Sequence, residues 1–482
     1  MERFKHIINL INNNQKDNKN DNNTDISNEE KQEFWGQYKK ENKNYLLKNN
    51  DSFDFVGFWT HEIYSSNDLK NLFKALEEFD ENKIYDFREK SIADTVKSKI
   101  YSPNIFTKNI GIITSKHSYN SQLINIDPPS EFEYIRVKLY HQLDSLTFLS
   151  FLFVLRKNKM KFLDDILKQD IKSLYENHSF EKFNPPSIIK KKQIEKEKDL
   201  LYKTATDWIK EKAPGICSKQ NLHHPVCDLI LRNQSNPIKN EPKYMKTLGL
   251  NEKFNSWNFE NTTGLYLTHP YQKYEDDKRR KLILAGNKEK IIDSNNKLLH
   301  DIGGDMTSYK IPLFIDDKVS RILIPWVFFY ISEVFLKYLY KTRDELTQVS
   351  FSEFQEDYSK IKNLENEFSW IESIVPHFIN DIQKSKSFIN YLKQNFKFKP
   401  LLLHRQKKDF FSYIQSLLNQ NLEFMSKEYE NISARYYSNI NLFSALSNKE
   451  LSDDNLFIQK IVLVITALML VINIIMLALN FD

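Results

Sequence analysis

Both cysteines of the chain and two of its eleven histidines fall within eleven residues, in the run CSKQNLHHPVC (Cys217–Cys227). Two thiolates and two imidazoles are a donor set that zinc accepts in a tetrahedral site. Cys217, His223, His224 and Cys227 are therefore candidate zinc ligands. The spacing Cys-x5-His-His-x2-Cys is not that of a standard finger or ribbon, and adjacent histidines rarely both reach one ion. The competing reading is a loop that buries its thiols and leaves its imidazoles at the surface.

A second group is basic. Arg279, Arg280 and Lys281 end the run DDKRRK, just ahead of the apolar LILAG. Guanidinium and ammonium groups so placed suit a phosphate or another anionic small-molecule ligand; a solvated strand edge, kept charged against aggregation, is the alternative. The paired glycines of DIGGD (Asp301–Asp305) lack the further glycines and lysine of a phosphate loop and read as a turn. Neither Gly-x-Ser-x-Gly nor His-Glu-x-x-His occurs, and nine glycines leave few places for a phosphate cradle. The sequence thus gives an enzyme no positive support. A hydrolase built on the Cys/His loop is the remaining catalytic alternative.

The last group is membrane chemistry. Ile461–Leu479 is nineteen residues without a charge, thirteen of them Leu, Ile or Val. As a helix it spans about 28 Å, close to the hydrocarbon thickness of a bilayer. Its aliphatic residues together contribute about −4 to −8 kcal/mol to insertion. Thr466 can bond back into its own helix. Asn473 needs a partner in lipid, and facing copies would associate through it. Two other apolar runs, Ile322–Ser332 and Leu146–Leu155, are too short to span and are expected in the core.

The rest of the chain is wet. Mean hydropathy is −0.57, 28% of residues are charged, and 69 basic against 64 acidic groups leave a net charge of +5. So even a balance argues against nucleic acid as a partner. The first thirty residues lack the apolar core and cleavage site of a secretory signal. With only two cysteines, this predicts a single-pass, tail-anchored protein whose N-terminal bulk stays in the reducing cytoplasm.

The elements that must position these groups follow from periodicity. Residues 1–30 read as a disordered Asn-rich segment. Residues 31–318 read as an α/β or α+β domain, with strands at 53–63, 109–114, 122–127 and 135–140, further strands at 264–269 and 281–286, and an inserted charged helix at 187–212. That helix gathers Leu201, Ala205, Trp208 and Ile209 on one side. Residues 319–447 read as an antiparallel helical hairpin or stalk with two coiled-coil-like seams. One runs from Ile361 through Leu364, Phe368, Ile371, Val375, Phe378 and Ile382; the other runs from Phe411 to Tyr436. Pro376 is expected to kink the first helix. A linker at 448–456 is expected to cap the membrane helix, 457–480.

This layout of a cytosolic α/β domain, long helices and a stalk entering a C-terminal span resembles the CorA-type divalent-cation channels. That family places Gly-Met-Asn, often followed by Phe, after its first span. The equivalent place here is Ala478-Leu479-Asn480-Phe481, which keeps only the Asn-Phe, and the family's second span has no counterpart. The resemblance implies an oligomeric ion channel with Asn480 and Phe481 at a pore mouth. The reading of the residues themselves is a self-associating membrane protein that presents a sensing or binding domain, with a gated channel or membrane-perturbing effector as the alternative.

Overall fold

The computed structural model describes residues 46–47, 51–84, 91–101, 105–115, 123–171, 174–175, 183–184, 186–233, 247–248, 250, 255–269, 281–293, 310–348, 354–401 and 408–479. The Asn-rich segment 1–30 lies outside them.

The fold is α+β, organised by strand β1 (Phe53–Ser65), whose thirteen residues are all buried. Its sequence, FDFVGFWTHEIYS, puts a bulky apolar group on both faces of the pleat, which suits a strand covered on both sides. It pairs antiparallel with β5 (Leu146–Leu155) on one edge and β8 (Val226–Arg232) on the other. The register to β8 slips at Gly57, where a Cβ would collide with the Phe153 carbonyl of β5. Glycine is needed there for that close approach.

Outward from β5 come β4 (Phe132–His141), β2 (Phe106–Ile113) and β3 (Leu123–Ile124). Outward from β8 come β11 (Lys281–Asn287), β10 (Leu265–Thr268), β9 (Ser256–Phe259) and β12 (Phe398–Pro400), making one ten-stranded sheet. Two pairings, β8 with β11 and β2 with β3, are parallel. The strands at 264–269 and 281–286 do complete the same sheet.

Alternation along β1 assigns the two faces. Phe58 meets Tyr202 edge-on at 4.9 Å, on helix α4 (Pro186–Lys212). Trp59 donates its indole N–H to Asp316 at 2.7 Å, on helix α6 (Ile311–Thr347). The α4 face also carries α1 (Leu69–Glu81), tied to it by Lys212–Glu78, and α3 (Phe162–Lys168), whose Phe162 packs on Phe55. Helix α2 (Ile92–Ile100) follows α1. The expected apolar side of α4 is buried as read, with Trp208 edge-on to Phe151 and Phe153.

On the other face, α6 buries every residue from Ile322 to Ser332. It is, among the described residues, the one helix that passes as long and apolar enough to cross a membrane, yet 83% of its most apolar stretch is enclosed by the protein. A helix apolar all round must be covered all round, and here protein does the covering. The domain boundary expected at 318 is therefore corrected. Residues 311–318 already belong to α6, and α6 is the second layer of the sheet.

The rest of that layer is α7 (Phe354–Lys384), α8 (Lys386–Asn395) and α9 (Phe410–Leu479). Helix α7 passes through Pro376 and breaks instead at Ser385. Its seam from Leu364 to Ile382 is buried, as is that of α9 at Phe411, Ile414, Leu418, Leu422, Met425, Ile432 and Tyr436. Side chains before Leu364 lie outside the described residues. Lys341 bonds Glu367 while Phe335 packs on Phe378, so α7 runs antiparallel to α6. Ser332 and Arg343 meet Asn421 and Glu428, so α9 runs parallel to it. Helices α7 and α9 therefore run antiparallel to each other, as the hairpin reading expects, with Phe368 stacked on Tyr436 at 4.1 Å, and both pack on α6 to make a three-helix layer.

The expected break at 448–456 is absent, because α9 is unbroken from Phe410 to Leu479. SNKELSDDN contains neither Pro nor Gly. Its Asp, Asn and Ser residues cost only about 0.5 kcal/mol each inside a helix, and continuing a helix is easier than nucleating another.

Candidate functional site

Beyond Thr60 the β8 side of β1 has no strand partner among the described residues, since the pairing ends at Thr60 and Val226. That edge is taken by the short helix α5 (Ile216–Lys219) and the turn behind it. Gly215 lets α5 approach. Its Cβ would fall on the Ile63 carbonyl and 2.8 Å from Glu62 Oε1. Asn221, in the left-handed region at φ 50°, then reverses the chain, a conformation asparagine tolerates well. The reversal brings His224 back to β1 and leaves His223 exposed.

Glu62, Cys217 and His224 meet at this edge, one donor atom of each lying within 4.8 Å of the others. Exposure is 0% for Glu62, 1% for Cys217 and 4% for His224. Glu62 Oε1 accepts the backbone N–H of Ile63 at 3.0 Å and of Cys217 at 2.9 Å. Oε2 is more crowded: it accepts the Ser218 N–H at 3.2 Å and the Ser218 hydroxyl, and lies 2.8 Å from His224 Nε2. His224 Nδ1 is buried with no hydrogen-bond partner among the described residues.

The electrostatics follow from that packing. Burial pushes the Glu62 carboxyl up, but the His224 charge and the donors around it outweigh burial and hold it below the usual carboxylate range. Burial, and then the Glu62 charge, pushes the Cys217 thiol well up, so without a cation the sulfur keeps its proton. His61 is fully buried on the opposite face of β1, with neither ring nitrogen paired among the described residues. Burial, then His224, lowers its pKa to about 3.

That value gives a pH prediction. Between the ordinary 6.5 and about 3 the unfolded chain binds a proton at this position and the folded chain does not. Stability contributed by neutral His61 is thus present above pH 6.5 and lost as pH falls toward 3. Urea midpoints measured over pH 7 to 4 should fall less steeply in His61→Phe than in the wild type.

Two of the four candidate zinc ligands come together here. His223 is outside the cluster, its carbonyl accepting the Tyr330 hydroxyl. Cys227 sits on β8 opposite Trp59 and Leu282. Its neighbour Asp228 faces α4, bonding Lys198 at 2.6 Å and Tyr202 at 2.5 Å. Strand alternation sends Cys227 to the other face, and both thiols are free.

The residue missed from sequence is Glu62. Its signal was a carboxylate in an otherwise aromatic central strand, which must find several donors to be buried. Gly215→Ala should disturb the cluster from its floor. We expect a loss of about 1–3 kcal/mol from overpacking, read as a lowered urea midpoint.

Of the remaining sequence candidates, only Lys281 has a described side chain. Lys281 opens β11 with its ammonium 3.3 Å from Asp199 and over the Tyr202 ring, so it serves as packing. Arg279, Arg280, Asn480 and Phe481 lie outside the described residues. Asn473 is on α9, with its side chain outside them. No protein-family model, curated protein or solved structure matches the chain.

Proposed function

We propose that the chain is a single-pass membrane-anchored module: an α+β head for binding or sensing, held to a bilayer by the far end of α9. The observation that carries this is the continuity of α9. Its near half is fixed to the head by a buried seam from Phe410 to Tyr436. The same helix continues through the charge-free Ile461–Leu479. Of the described side chains from Ile461 to Met469, all but Thr466 are apolar, and they are exposed, Leu463 at 72% and Met469 at 62%. Thr466 returns its hydroxyl to the Val462 carbonyl at 2.7 Å, so its polar group is satisfied within the helix, as lipid requires.

Between Phe443, the last buried residue of the described rod, and Ile461 the helix rises about 27 Å. The head therefore stands clear of the lipid surface. Two buried free thiols suit a reducing compartment, which supports reading the head as cytoplasmic. Asn473 supplies the means for copies to associate within the bilayer.

Removing residues 457–482 should move the protein from the carbonate-resistant membrane fraction to the supernatant with the head still folded. Unchanged fractionation would sink the anchor. A monomer in mild detergent would remove self-association.

A further inference from the structure

We propose that Glu62, Cys217 and His224 bind one divalent transition-metal ion, of which zinc is the type that best fits an oxygen, sulfur and nitrogen donor set. The proposal is independent of the membrane reading. Three features of the cluster support it.

The first is convergence. Zinc bonds of about 2.0–2.3 Å hold neighbouring ligand atoms roughly 3.5 Å apart. The three donor atoms, all within 4.8 Å of one another, need only a small contraction to reach that. The second is crowding. Oε2 of Glu62 carries three polar contacts on two lone pairs, one of them His224 Nε2. A shared cation relieves the crowding, because Glu62 and His224 then meet through the ion and no longer through one another. The third is charge. Binding converts the Cys217 thiol to thiolate and displaces the His224 ring proton that faces Glu62, so two protons leave to solvent. The dication, thiolate and carboxylate then sum to zero beside a neutral imidazole, and a buried site is left without net charge.

The donors also sit on rigid supports. Glu62 is on the central strand, Cys217 on α5 with its N–H fixed to Glu62, and His224 follows the left-handed turn at Asn221. Three protein ligands leave the fourth position of a tetrahedral zinc to another donor. The donor set read from the run Cys217–Cys227 therefore changes: Cys227 and His223 take no part, and Glu62 joins.

The test uses the full chain in detergent, purified without a metal-affinity tag. About one zinc per chain should be found, and cobalt(II) exchanged into the protein should give the near-ultraviolet band of a thiolate–cobalt bond. Cys217→Ala should abolish the band, and His224→Ala should weaken zinc binding at least about 100-fold, the upper range for losing even an outer partner. Cys227→Ala and His223→Ala should keep metal and band. The idea is overturned if the wild type holds and takes up neither ion, which needs no variant to fold. It is equally overturned if Cys217→Ala shows the wild-type band.

Discussion

Asp316→Ala should lower the unfolding free energy by about 3–5 kcal/mol, the cost of removing one partner from a buried ion pair. Domain stabilities are about 5–15 kcal/mol, so this one change takes a third or more of a typical total. Asp316 is 2% exposed. Its carboxylate receives the Trp59 indole N–H at 2.7 Å, Lys138 at 2.6 Å and Arg136 at 3.2 Å. Those partners come from β1 and β4, so the residue pins the first turns of α6 to the sheet.

Without it, Lys138, its side chain 6% exposed, keeps Asp317 as its charge partner among the described residues, and Asp317 is 68% exposed. Asp317→Ala should accordingly cost no more than about 1 kcal/mol, as surface pairs do. Urea unfolding followed by tryptophan fluorescence separates the two. The double change Asp316→Leu with Lys138→Met should recover much of the loss, since the penalty lies in the charge left behind. Equal midpoints for Asp316→Ala and Asp317→Ala would show that the cluster does not hold α6.

Much of this architecture was legible, for reasons that also mark where legibility ends. Alternation at Ile135, Val137 and Leu139 gave β4, and the spacing of Leu201, Ala205, Trp208 and Ile209 gave the buried side of α4. Both signals are local. A seam identifies the face a helix buries but not every partner: α7 and α9 do meet, Phe368 on Tyr436 at 4.1 Å, while their shared packing on α6 had no local signal. The entry of β12 into the sheet, 142 residues beyond its neighbour's start in β9, has no local signal at all.

The cluster divides in the same way. Cys217 and His224 were found because they are close in sequence, and His223 and Cys227 were included for the same reason. Strand alternation and the turn at Asn221 then sorted the four. Glu62, 155 residues before Cys217, reaches the site only through the fold.

Paired arginines at Met469 and Leu470 should detach the protein from the membrane. Each arginine near the centre of a span costs about 2.5–3.5 kcal/mol, so the pair cancels most or all of the −4 to −8 kcal/mol, roughly, that the aliphatic residues of Ile461–Leu479 supply. The expected result is a move from the carbonate-resistant pellet to the soluble or aggregated fraction. Asp453→Arg with Asp454→Arg, on the same helix but ahead of the span, should leave the protein in the membrane.

Helix α6 supplies the contrast, because it too is apolar enough to cross a bilayer. Phe328, fully buried in α6, packs on Phe148 of β5 at 5.6 Å. Phe328→Arg should therefore destroy the fold of the head, read as loss of its cooperative unfolding transition, while the chain stays in the membrane fraction. If instead Phe328→Arg released the protein from the membrane and the arginines at 469 and 470 did not, the two apolar helices would have exchanged roles. Composition cannot tell these helices apart. What separates them is what covers each one: the sheet and two helices around α6, and, on the reading proposed above, lipid around the end of α9.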